Sequence, residues 1–93
     1  METSNPLNIL YASKHFQFAH TAEPAPHRED YYRHNHPQYE LYVFFEGNAK
    51  FVVEDRVFHL TPDTVLLIPS RAYHYAALQD SARPYDRLVL NFE

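Results

Sequence analysis

The chain has no cysteine and only one glycine. Without cysteine there is no disulfide, no zinc–thiolate site and no thiol nucleophile, and the composition fits a reducing compartment. A single glycine excludes the phosphate-cradling loop, the dinucleotide fingerprint and the Gly-x-Ser-x-Gly elbow, each of which needs several. Ser4, Ser13, Ser70 and Ser81 have no base beside them. Positive charge is also scarce: eight Lys plus Arg stand against twelve Asp plus Glu, for a formal net charge of −4. The basic residues are scattered, which leaves no electrostatic footprint for direct nucleic-acid contact. Long apolar runs are missing too. The run at residues 65–69 is far too short to cross a bilayer. Met1 is followed by Glu2, Asn5 and Pro6, not by a basic start and an apolar stretch, so no signal peptide or membrane partner is expected. The expected location is the cytoplasm.

At 93 residues the chain makes one domain. A chain so short buries only about 60 to 65% of its unfolded surface. Small domains widen that margin with disulfides, a metal or oligomerisation. With no cysteine, a metal on other ligands or a partner chain remains.

Hydrophobic patterning predicts strands almost everywhere. Residues 39–45 (Tyr-Glu-Leu-Tyr-Val-Phe-Phe) are rich in aromatic and β-branched types. Glu46-Gly47-Asn48 supplies a turn, with the glycine where positive φ is expected. Residues 50–54 return as the second strand of a hairpin. Asp55-Arg56 and Thr61-Pro62-Asp63 are further turns flanking a short strand at 57–60. Strands follow at 65–68, 73–78 and 87–92, and the loop at 79–84 separates the last two. Residues 1–29 read as an irregular arm with short strands at 7–11 and 16–18, and residues 30–93 as the regular part. Short strands with frequent turns predict an all-β antiparallel sandwich or barrel. Along 39–45, Glu40, Tyr42 and Phe44 share one face and Leu41, Val43 and Phe45 the other. Both faces are apolar, and a barrel interior covers only one. The other calls for the N-terminal segment, another sheet or a second subunit, and a homodimer is the expectation.

The chemistry lies in His34-Asn35-His36-Pro37-Gln38-Tyr39-Glu40, with His74 on a later strand. Alternation lets His34, His36 and Glu40 project inward together, and closure of the sheet can bring His74 beside them. Pro37 bends the run, so parity is approximate there. Three imidazoles and a carboxylate suit a divalent first-row metal such as manganese, iron, nickel or zinc. A six-coordinate ion would keep two positions open. The alternative is a metal-free pocket in which these groups hydrogen-bond a polar ligand. Burial of Glu40 with no metal or cation would raise its pKa. Tyr42 shares its face, and its hydroxyl needs a partner, so it joins His34, His36, Glu40 and His74 as a ligand-binding candidate. Phe44 reads as core. Tyr73 and Tyr75 should flank His74 on the opposite face, while His15, His20, His27 and His59 read as surface or loop residues. Arg71 reads as a solvated residue at the barrel mouth.

His34, His36, Glu40 and Gly47, spaced as His-x-His, three residues, Glu, six residues, Gly, resemble the first cupin motif. Its leading glycine is replaced by Arg28. Pro69 and His74 stand at the spacing of the second motif, whose glycines are replaced by Asp63 and Arg71 and whose asparagine is replaced by Leu78. Three phrases are similar to sensor domains of AraC-type transcription regulators: residues 39–43 (Tyr-Glu-Leu-Tyr-Val), Leu66-Leu67-Ile68-Pro69 with His74, and residues 85–92. The resemblance covers about residues 30–93. It implies a small antiparallel double-stranded β-helix, the cupin or jelly-roll barrel, that binds a small polar effector such as a sugar and does not catalyse. In such proteins DNA is bound by a separate C-terminal helix-turn-helix domain, absent from this chain. The contrasting expectation, from the intact three-His–one-Glu set, is a stand-alone metal-dependent cupin enzyme, a dioxygenase or isomerase.

Overall fold

A computed structural model of the chain describes residues 7–26, 31–79 and 83–93. It is all-β: β1 (Leu7–Ala12), β2 (Phe16–Glu23), β3 (Tyr39–Glu46), β4 (Ala49–Val53), β5 (Arg56–His59), β6 (Thr64–Ile68), β7 (His74–Leu78) and β8 (Tyr85–Phe92). Among the described residues there is no helix long and apolar enough to cross a membrane. The strands form two antiparallel sheets, one ordered β1-β2-β8-β3-β6 and the other β5-β4-β7. This is the expected cupin-type architecture. The N-terminal strands are longer than the sequence pattern indicated, because β2 pairs with β8 over all eight of its residues. That pairing supplies the hydrogen bonds that local propensity leaves undecided.

The turns lie where the composition placed them. Gly47 has φ +146°, and Glu54, Asp63 and Arg71 adopt φ values of 55°, 73° and 69°. Asp63 and Arg71 stand where the second cupin motif carries glycine, so the backbone keeps the left-handed turns although the side chains have changed.

Pairing aligns residues of the larger sheet in rows. One inward row runs Ala12, Gln17, Asn91, Glu40, Ile68, and the next runs Leu10, Ala19, Val89, Tyr42, Leu66. From the smaller sheet, Ala49, Phe51, Ala76 and Leu78 pack against Tyr42, Phe44, Ile68 and Tyr85 to form the core. Phe44 is a core residue, as expected, at 1% exposure. Burying a side chain of this kind contributes about 1.5 to 3 kcal/mol. Towards the Glu40 end the sheets enclose a cavity.

Candidate metal centre and ligand cavity

Four side chains meet at the Glu40 end. Glu40 stands on β3 of the larger sheet and His74 opens β7 of the smaller one. His34 pairs with His74 through an isolated bridge, with His34 N–H donating to the His74 carbonyl at 3.1 Å and the reverse bond at 2.9 Å. The chain then bends through Pro37 and Gln38 into β3. The His36 carbonyl is pinned by the Arg71 amide at 2.8 Å. The left-handed turn at Arg71 therefore fixes the backbone of a histidine in the site.

One ligating atom from each of His34, His36, Glu40 and His74 lies within 4.8 Å of the others. The Nδ1 atoms of His34, His36 and His74 face the carbonyls of Tyr32, Gln38 and Ala72 at 2.9, 3.1 and 2.9 Å. A carbonyl only accepts, so each Nδ1 carries a proton and each Nε2 is left for the site. The Nε2 atoms of His36 and His74 lie 3.0 and 3.1 Å from Glu40 Oε1. Two imidazole lone pairs facing a carboxylate would repel, so a proton or a metal ion must stand among them. Ligand atoms about 2.1 Å from an ion and at right angles to one another are about 3.0 Å apart. That is the spacing of Glu40 Oε1 from the His36 and His74 Nε2 atoms, while the four residues as a set lie within 4.8 Å and would draw in slightly around an ion. The residues fit a first-row metal.

Electrostatics agree. Glu40 is 5% exposed and His74 1%. Burial pushes the Glu40 carboxyl up, but the hydrogen bonds and charge of His74, then of His36, outweigh it and hold the group below the usual carboxylate range. This reverses the rise expected for an unpartnered carboxylate. Burial pulls the His74 imidazole down, and its hydrogen bonds to Glu40 and to the Ala72 carbonyl, with the Glu40 charge, carry it above its ordinary value. The Phe51 ring lies nearly parallel to His74, with centroids 6.0 Å apart, and backs the site with apolar surface.

The cluster opens into a cavity of about 310 Å³ that is also lined by Tyr42, Phe51, Tyr85, Arg87 and Asn91. Tyr42 is at the wall, but its hydroxyl is already bonded to that of Tyr85. Burial pushes the Tyr85 phenol up to about 12. Tyr75 borders the cavity as well, while the burial alternation along β7 keeps it off the buried face shared by His74, Ala76 and Leu78, as expected. Tyr73 is 40% exposed and lies under the Arg33 guanidinium. Arg71, His15 and His59 are exposed, as expected. His20 is half-buried on the outer face of the larger sheet, 2.8 Å from Asp86. His27 lies outside the described residues. Sequence reasoning missed Arg87 and Asn91. The signal was the alternation of Tyr85, Arg87, Val89 and Asn91, which share the inward face of β8.

A family model described as the AraC-like ligand binding domain matches residues 20–93. The chain belongs to that family. No curated protein matches the sequence. Among solved structures, this AraC-like domain is similar to a cupin superfamily protein from Desulfitobacterium hafniense. The TM-score is 0.74 at 18% identity over 99% of this chain and 81% of that one. It is also similar to the DMSP lyase DddQ from Ruegeria pomeroyi, with TM-score 0.72 and 27% identity over 95% of this chain and 47% of that one. The iron(II) form of HppE superposes with TM-score 0.74 at 11% identity, over 91% of this chain and 48% of that one. The chain spans 62% of a similar Photorhabdus luminescens protein, plu4264.

Proposed function

We propose that this AraC-like domain is the effector-sensing part of a cytoplasmic transcription regulator, and that a small polar molecule binds in the cavity beside a metal held by His34, His36, Glu40 and His74. The carrying observation is that one cavity joins an ordered three-His–one-Glu cluster to an aromatic wall. When bound, the ion would act as a Lewis acid that fixes an oxygen of the ligand. The chain's own residues do the rest. Three backbone carbonyls orient the imidazoles, Phe51 excludes water behind His74, and the Tyr42–Tyr85 pair offers one free hydroxyl proton. Sensing requires the effector to favour one posture of the attached DNA-binding domain, because equal affinity for two postures shifts nothing. The test is metal content after dialysis against Mn(II), Fe(II), Ni(II) or Zn(II), for the wild type and His36→Ala. Near-stoichiometric metal lost in the variant supports the reading. A wild type that retains none rules out the metal.

A second copy of the chain is the proposed partner. The outer face of the larger sheet carries two uninterrupted five-strand rows, Tyr11-Phe18-Leu90-Leu41-Leu67 and Ile9-His20-Leu88-Val43-Val65, and a shorter one, Phe16-Phe92-Tyr39. With strands about 4.8 Å apart and same-face residues about 6.6 Å apart, these rows cover roughly 400 Å². A largely apolar patch of that size supports a functional surface here.

The same cluster supports a second reading, a metal-dependent enzyme of small polar substrates. Turnover that requires the metal and disappears in His36→Ala would favour it over sensing.

A further inference from the structure

We propose that Arg87 is the ligand-selecting group of the cavity, and that it selects a small carboxylic acid whose carboxylate meets its guanidinium. The inference rests on the reading that the cavity receives a small molecule. It adds what kind of molecule.

Arg87 projects inward from β8, the strand at the middle of the larger sheet, with its side chain only 16% exposed. Its guanidinium makes one hydrogen bond among the described residues, from Nη1 to Glu23 Oε1 at 2.8 Å. A guanidinium has five N–H donors in a flat fork, so the remaining ones, at the cavity wall, are available to an acceptor from outside the chain. The fork is also held in place. It lies 4.4 Å over the Tyr85 ring and 5.3 Å over that of Tyr31, and the Tyr31 hydroxyl donates to the same Glu23 oxygen. A positioned guanidinium with free parallel donors matches a carboxylate better than a neutral hydroxyl.

Beside the guanidinium, Val89 on β8 and the Tyr42 and Phe51 rings are mostly carbon, and a cavity of about 310 Å³ suits a small carbon skeleton. Glu23 neutralises part of the Arg87 charge from the far side. Its removal should therefore strengthen the subsite.

The test is calorimetry on the Mn(II)-loaded chain with 3-hydroxybutanoate, 4-hydroxybutanoate and 3-hydroxybenzoate, each beside its primary amide, and with xylose as a neutral polyol. At least one acid is expected to bind about tenfold or more tighter than its amide. Arg87→Gln should shrink that preference to about threefold or less. Glu23→Gln should widen it, which keeps the proposal testable if Arg87→Gln does not fold. Acids and amides that bind alike, or xylose binding tighter than every acid, would overturn the subsite and leave the sensing reading intact. If no probe binds, the carboxylate subsite is overturned, and the sensing reading stands or falls on the metal-content test.

Discussion

Gly47 turns the chain between β3 and β4 at φ +146°, and a Cβ there would lie 3.2 Å from the Pro84 carbonyl oxygen and 3.3 Å from the Phe44 and Tyr85 rings. The backbone conformation strains any side chain there, and these neighbours would have to give way to make room for one. Gly47→Ala should cost about 2 kcal/mol or more, read from urea denaturation midpoints. A loss below about 0.5 kcal/mol would mean that the turn relaxes freely. Charge at the cluster gives a second prediction at this scale. Glu40 is held low, so its contribution to the metal-free protein is present above the ordinary carboxylate range and lost as pH falls through its folded-state value. His74 is held high, so its contribution is present below the ordinary imidazole range and lost as pH rises through its folded-state value. The stabilisation from this pair therefore peaks between the two. A metal must displace the Nε2 protons, so its affinity should climb between about pH 5 and 8. Metal titrations at several pH values check this, and a flat profile would show that the imidazoles are not the ligands.

Strand order sets the next scale. β8 is paired along its length by β2 on one side and β3 on the other, whereas β1 and β6 are edges. Amide exchange should therefore be slowest in β8 and β3 and faster in β1, read by NMR hydrogen exchange. Equal protection in β1 and β8 would mean that the sheet opens only as a whole. This order also explains what was legible in the strands. The alternation at residues 39–45 and the turns at 46–48 and 61–63 are local, and a sequence displays them. The rows that join Asn91 to Glu40 and Arg87 to Phe44 depend on register between strands more than forty residues apart. No local pattern carries that register, so Arg87 passed as an ordinary arginine.

For the molecule as a whole, the outer face of the larger sheet, which no other described strand covers, matters most. Leu67 is 63% exposed, Tyr11 58%, Val65 57% and Ile9 50%, all on that one side. Sheet against sheet is the packing that such a face requires. The 11.0 kDa chain should sediment as a dimer at micromolar concentration, and Leu67→Glu should shift it to monomer without lowering its intrinsic stability. Analytical ultracentrifugation decides. A monomeric wild type would remove the second copy as partner.

By itself the sequence determined the all-β class, the turns and all four candidate metal ligands. These depend on composition, two-residue periodicity and a motif spelled out in chain order. It also showed that both faces of β3 are apolar. Only the tertiary structure decided which groups face one another. It turned the Tyr42 hydroxyl to Tyr85, gave Glu40 two imidazole partners that lower its pKa instead of leaving it to rise, and placed Arg87 and Asn91 on the wall beside them. The reason is that hydrogen bonds and Coulomb terms act over a few ångströms of space, while the sequence orders residues only along the chain.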